Sequence, residues 1–261
     1  MDPAIYAISG LDSVITPALA IYPDIVDSNI DVTLAMADGD PDRWRPHIKT
    51  AKLGFTMRRL VERGVVNFKC STSLELLTAC RSGVCDAVVA YPMVGANAAR
   101  VREIAAEFPG VRVSILAENE AQAAAWRGSR VGVFIDVNPG MDRTGISQTR
   151  SSEVVSIARG LGASFRGLHY YDGQIHTVDP VAREREAFAG YDRLMQLAAA
   201  LMDMGCPIGE VITSGTPAMP CGLKYMGFRV GAFVHRVSPG TVVYNDMQSL
   251  ELFPGAGYRP A

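Results

Sequence analysis

The chain has 261 residues, with 25 Lys+Arg against 27 Asp+Glu and 48% hydrophobic residues, a globular composition that excludes intrinsic disorder. A net charge of −2 with scattered basic residues leaves no footprint for a nucleic-acid backbone, so a small polar ligand is the expected partner. Uncharged stretches such as Ala87 to Ala99 are too short and too rich in Gly, Pro and Asn to cross a bilayer, which takes about 20 apolar residues.

No basic residue precedes Arg43, so neither a secretory nor a mitochondrial leader is expected and the chain reads as cytoplasmic. In chain order, Thr16 to Tyr22 predicts a strand and Asp24 to Ala37 a helix, both ahead of the main repeat. From Arg45, short β-branched runs alternate with longer amphipathic ones. The expected strands are Pro46 to Lys49, Asn67 to Cys70, Ala87 to Tyr91, Arg112 to Leu116, Val131 to Val137, Phe165 to Tyr171, Val211 to Ser214 and Val234 to Ser238. Helices are expected at Ser73 to Ser82, Asn97 to Phe108, Glu120 to Arg127, Thr149 to Arg159 and Val181 to Met204. The last is bounded by Asp179 as N-cap, Pro180 at the first turn and Gly205 after the end, with Phe188, Tyr191, Met195, Ala198 and Met202 expected to face a sheet. A further strand, Thr241 to Asp246, precedes a tail containing Pro and Gly. Eight strands alternating with helices suggest a (β/α)8 barrel; a doubly wound open sheet would give a similar alternation.

The five cysteines form no CxxC, and the four histidines, His47, His169, His176 and His235, show no HxxxH or HxC, so no compact metal site is evident. No GxSxG, Walker or GxGxxG motif occurs. The segment RPHIKTAK puts Lys49 at the C-terminal end of the first strand, where barrels carry their chemistry. A low-dielectric pocket with neighbouring cations would lower the pKa of such an amine and make it a Schiff-base nucleophile; the alternative is an ordinary solvated lysine. Thr213-Ser214-Gly215-Thr216-Pro217 follows the seventh strand and Ser238-Pro239-Gly240-Thr241 the eighth, the usual barrel phosphate position, although each alone is also a plain turn. At the sixth strand end, alternation directs only one of Tyr170 and Tyr171 inward, in a segment of polar rings that includes His169. Arg143, after the fifth strand, either meets a ring nitrogen or carboxylate of a ligand or pairs with Asp136 or Asp142.

Taken together, TPALAIYPDIVDSNI, RPHIKTAK, IDVNPGMDRTGI, GLHYYDGQI, TSGTP and SPGTVVYND resemble the D-threonine aldolase and D-serine dehydratase family of fold-type III pyridoxal-phosphate enzymes, with its alanine-racemase-like N-terminal barrel. The resemblance implies that Lys49 carries pyridoxal 5'-phosphate as a Schiff base and that Arg143 faces the pyridine nitrogen. It also implies that Tyr170 or Tyr171 lies beside the cofactor, and that Ser214, Gly215, Thr216, Gly240 and Thr241 hold the phosphate. It further implies a lyase acting on D-3-hydroxy amino acids by aldol cleavage or dehydration, a divalent Mn or Zn ion held by a C-terminal β-domain, and a homodimer. Two departures accompany it: Ala51 stands where the family's RPHxKTHK motif has histidine, and the metal-binding domain is expected to be missing. Residues 1–44 are then a strand and helix leading into the barrel, 45–240 the cofactor-binding barrel, and 241–261 the start of the absent domain. The rival readings are a non-catalytic cofactor carrier, an amino-acid racemase-like protein, or an incomplete product with exposed strands.

Overall fold

Pro46 has no amide hydrogen to give a ladder, and this shapes the first barrel strand. In the computed structural model, which describes residues 3–261, the segment 44–48 is held by single parallel bridges, Trp44 to Val237 on one side and His47 to Lys69 on the other. Arg45 donates its amide to the Val237 carbonyl at 2.9 Å, Lys69 to the Pro46 carbonyl at 2.9 Å, and Ile48 to the Lys69 carbonyl at 2.8 Å. Through this segment the sheet closes on itself.

The remaining elements run in order. Helices α1 (Pro23–Met36) and α2 (Gly54–Glu62) flank the closing segment; then come β1 (Asn67–Cys70), α3 (Ser73–Arg81), β2 (Asp86–Val89), α4 (Gly95–Glu107), β3 (Arg112–Ala117) and α5 (Glu120–Ala124). Next are β4 (Gly132–Asn138), the two-residue β5 (Ile146–Ser147), α6 (Ser151–Leu161), β6 (Phe165–Tyr170), α7 (Pro180–Asp203) and β7 (Glu210–Thr213). The chain then adds α8 (Met219–Lys224), α9 (Met226–Val230), β8 (Val234–Val237) and α10 (Met247–Leu252). The strand order β1-β2-β3-β4-β6-β7-β8 is parallel throughout, with β5 paired to β4 off this path. This is the α/β barrel expected, with the helices outside.

Strand alternation divides the side chains into two apolar regions. The larger lies between sheet and helices, with Phe68, Val133, Ile135, Leu168 and Val211 against Leu60, Leu76, Ile157 and Leu194. A second, small cluster of Val88, Leu116, Phe134 and Ile212 fills the middle of the barrel. A register shift opposite Val133 and Phe134 bulges β6 at Gly167, whose φ is +147° and where a Cβ would overlap the Glu210 carbonyl. Because of this bulge Arg166 and His169, three residues apart, both turn inward.

Helix α7 begins and ends as its sequence dictates. Asp179 accepts the amides of Val181 and Ala182 at 2.8 and 3.0 Å, and Gly205, at φ +74°, gives its amide to Met202 while Cys206 reaches Leu201. Its buried face is Ala187, Gly190, Tyr191, Leu194, Leu197, Ala198 and Leu201. Met202 falls outside that face and is exposed, and Phe188 and Met195 lie at its margin, a correction to the expected stripe.

Neither flanking strand forms. Residues 16–22 are irregular and pair with no strand, and Leu19 is exposed. Thr241 to Asp246 starts instead as a 3-10 turn, Thr241–Val243, in which Val242 and Val243 bury their side chains and Asn29 of α1 donates to the Val243 carbonyl at 3.2 Å. Local burial against α1 outweighs the β-branched preference there. No helix among the described residues is long and apolar enough to cross a membrane.

Candidate active site

At the C-terminal end of the barrel two cavities share a wall made by His47 and Lys49. The larger, about 450 Å³, also takes in Ser71, Tyr91, Asn97, Asp136 and Arg143. The smaller, about 100 Å³, is closed by Tyr171, Gly215, Thr216, Ser238, Gly240 and Thr241. Lys49 is exposed at this junction and its amine has no hydrogen-bond or ion-pair partner among the described residues, whereas Lys52 reaches Glu75 at 3.8 Å. An unengaged primary amine is thus available to an incoming carbonyl.

The smaller cavity has the chemistry of a phosphate cradle. The Ser238 hydroxyl is buried and without a partner among the described residues, a donor waiting for an acceptor. Gly240 packs its backbone against His47, where a Cβ would overlap the His47 carbonyl oxygen, and a Cβ on Gly215 would press to 3.0 Å from the Tyr171 ring. Glycine is required at both places for close approach. Ser214 is different: at φ +64° its hydroxyl turns away, bonding Tyr191 at 2.9 Å and Thr213 at 3.0 Å behind the loop. Its side chain therefore supports the loop from below and does not line the cavity, contrary to expectation.

Alternation also decides between the tyrosines. Tyr171 faces the mouth, where the Arg143 guanidinium lies over its ring at 4.8 Å and the Lys69 amine at 5.3 Å. Tyr170 points outward into the layer under α7, edge-on to Tyr191 with ring centroids 6.0 Å apart. It is a core residue, and burial pushes its phenol well above the usual range. Arg143 pairs with neither Asp136 nor Asp142; Asp142 instead accepts from Asn138 at 2.9 Å. The guanidinium is left exposed toward the cavity. Ala51, where the resembled motif has histidine, is buried in the core.

The amine in a low-dielectric setting is not Lys49, which is exposed, but the buried Lys69 on β1. Desolvation pushes it down to about 7, against the raising effect of Asp136 and Asp172. Its amine meets His169 Nε2 at 3.2 Å, and His169 Nδ1 meets Asp136 at 2.6 Å. Burial and the nearby Lys69 charge hold His169 below its ordinary range. His47 is lowered further, by burial and by Lys69, Lys49, His169 and Arg143, and is neutral; its Nε2 bonds the Ser71 hydroxyl at 2.8 Å. Asp172 lies under the loop after β7, accepting from Tyr191 at 2.7 Å and the Gly215 amide at 3.2 Å, and burial pushes it up to about 6. Among the described residues no group of three His, Cys, Asp or Glu is placed to hold a metal ion.

A closed parallel barrel with an unpartnered lysine and a small polar cavity at its C-terminal mouth defines a class, the α/β barrels whose open strand ends carry the candidate site. Residues 21–247 match the alanine racemase N-terminal domain family, and the chain belongs to it; this domain is the barrel of fold-type III pyridoxal-phosphate enzymes. A D-threonine aldolase from an Arthrobacter species is 26% identical over 171 residues, 61% of this chain and 44% of that protein. The chain thus spans less than half the length of that curated relative. Among solved structures, D-threonine aldolase from Filomicrobium marinum superposes with a TM-score of 0.82 at 23% identity, over 95% of this chain and 68% of that one. D-threo-3-hydroxyaspartate dehydratase from Delftia sp. HT23 gives 0.77 at 22%, over 94% and 65%. At these identities the likeness to the solved structures is one of fold.

Proposed function

We propose that this chain binds pyridoxal 5'-phosphate through Lys49 and is the barrel of a lyase acting on D-3-hydroxy amino acids. The observation that carries this is the junction itself: an unpartnered Lys49 amine stands between a cradle with an orphaned Ser238 hydroxyl and a cavity large enough for an amino acid. When bound, the cofactor supplies an electron sink for bond cleavage next to the amino group. In this reading Ser238, Thr216, Thr241 and the close-packed backbone at Gly215 and Gly240 hold the phosphate. Tyr171 and Arg143, whose guanidinium lies over the Tyr171 ring, would hold the cofactor's ring and meet its ring nitrogen. Lys49 would make the covalent link to the cofactor aldehyde, and its amine would hold or move a proton beside the substrate.

The relatives named D-threonine aldolase and D-threo-3-hydroxyaspartate dehydratase support the D-3-hydroxy amino acid class without choosing between cleavage and loss of water. No residue of this chain is assigned to a metal. A homodimer follows from the same analogy.

The test is to add pyridoxal phosphate to the purified protein and to Lys49→Ala. A visible, borohydride-reducible absorbance band in the wild type alone supports the assignment, and no band in folded wild type refutes it. Screening D-threonine, D-serine and 3-hydroxyaspartate with and without Mn²⁺ or Zn²⁺ follows. A band with no turnover of any of them would favour a cofactor carrier.

A further inference from the structure

Strands β1, β4 and β6 bring into the barrel a second group of ionisable side chains that the Schiff-base chemistry does not use. Lys69, His169 and Asp136 are respectively 2%, 3% and 3% exposed, and no other residues intervene in the line they make: Lys69 Nζ to His169 Nε2 at 3.2 Å, His169 Nδ1 to Asp136 Oδ1 at 2.6 Å. The geometry fixes the roles. The carboxylate accepts, so Nδ1 carries the imidazole hydrogen, and Nε2 accepts from the lysine amine. The second carboxylate oxygen, Asp136 Oδ2, is buried with no partner among the described residues, and Asp136 lines the larger cavity. His169 engages only Oδ1, so the buried Oδ2 of a residue in the cavity wall is costly unless a donor meets it.

We infer that Asp136 is the proton acceptor for a hydroxyl of the bound substrate, with His169 and Lys69 as the positioning residues that orient and charge-balance it. This deepens the proposed function and rests on its substrate class, since a 3-hydroxy amino acid carries a hydroxyl whose proton must leave if the carbon bearing it becomes a carbonyl. One proton passes from that hydroxyl to Oδ2, the hydroxyl oxygen keeps the bonding pair, and the carboxylate becomes a carboxylic acid that later returns the proton. Lys69 balances the carboxylate charge before transfer and releases its own proton more readily after it. The groups that set Lys69 are Asp136 and Asp172, which favour its ammonium, Arg143 and Arg45, which oppose it, and the neutral imidazoles of His47 and His169.

Two measurements test this. In the cofactor-free protein, nitrogen-15 NMR is expected to find His169 with its hydrogen on Nδ1, and the Lys69 side chain titrating near 7. Asp136→Asn should move that midpoint down by about half a unit or more, because it removes a charge that favours the ammonium. Asp172→Asn should lower the midpoint too but leave the His169 signal unchanged. A Lys69 midpoint above ~9, or one that Asp136→Asn does not move, overturns the inference. In the cofactor-loaded protein, Asp136→Asn should keep the borohydride-reducible band of Lys49 and lose about 100-fold in kcat on D-3-hydroxy amino acids with little change in KM. Retention of kcat within about threefold overturns it, as does a loaded wild type that turns over no 3-hydroxy amino acid. Absence of the band in wild type would instead defeat the Lys49 reading and leave the NMR result to decide the positioning of Asp136.

Discussion

At the N-terminal end of the barrel Arg45 is wholly buried, yet its guanidinium reaches Glu210 through two bonds of 2.7 Å and Asp86 at 3.0 Å. Arg166 bonds Asp86 at 2.8 Å and Ser114 at 2.9 Å, and Arg236 joins Glu210 and Asp42, each at 2.9 Å. At the C-terminal end the charges are not consumed in this way. Among the described residues Lys49 and Arg143 have no counter-ion, Ser238 has no acceptor, and one oxygen of Asp136 has no donor. Both ends are rich in ionisable residues, so abundance of charge does not mark the site. What differs is pairing: at the N-terminal end each of these guanidiniums meets a carboxylate, although Arg236 Nε has no hydrogen-bond partner among the described residues, whereas charges at the mouth stand open to a ligand.

The largest expected effect on this contrast is at Lys49. Lys49→Ala should abolish cofactor attachment while leaving the urea midpoint of the cofactor-free protein within experimental error, because the side chain has no partner to lose. Arg45→Ala should do the reverse, stranding Glu210 and Asp86 and costing about 3–5 kcal/mol in urea unfolding. A wild-type-like Arg45→Ala would break the distinction between the two ends.

Lys69 gives a pH signature. Its folded pKa is depressed to about 7 from an ordinary 10.5, so above 7 the unfolded chain binds more protons at this residue than the folded one, and stability contributed by this group rises with pH. Between about pH 7 and 9 the wild type should gain on Lys69→Met by up to about 1 kcal/mol per unit, read from parallel urea titrations. Asp172 has the opposite sign. Its folded pKa is raised to about 6 from 3.8, so wild type should lose stability relative to Asp172→Asn as pH rises from about 4 to 6, with no further divergence from this group above that. The smallest effect belongs to Ser238→Ala, which should weaken pyridoxal phosphate binding by about three- to tenfold, the worth of one hydrogen bond, without altering the absorbance band.

Much of this molecule was legible in its sequence because local chemistry and tertiary position agree. Strand β1 occupies the predicted Asn67 to Cys70, and the caps of α7 sit at Asp179 and Gly205. Lys49, Thr216, Gly240 and Thr241 all reach the mouth because strand ends and the loops after them must emerge there. What failed depended on partners or on backbone turns that pattern alone does not carry. The segments 16–22 and 241–246 have strand composition but pair with no strand. Ser214 looked like a phosphate ligand until its left-handed backbone turned the hydroxyl under the loop. Lys69 and Asp136 were within reach of sequence reasoning, since a lysine inside the short strand NFKC and an aspartate inside VFIDV are costly unless they meet inside the barrel. That His169 links them needed the bulge at Gly167, which is a feature of three-dimensional pairing.

We propose that an aldehyde cofactor is held at the C-terminal mouth of the barrel, on Lys49. The most direct measurement is to load the wild type with pyridoxal phosphate, reduce it with borohydride, digest it and locate the adduct by mass spectrometry. A single modified peptide carrying the label on Lys49 is expected. A label on Lys69, or one spread over surface lysines in proportion to their exposure, would contradict it.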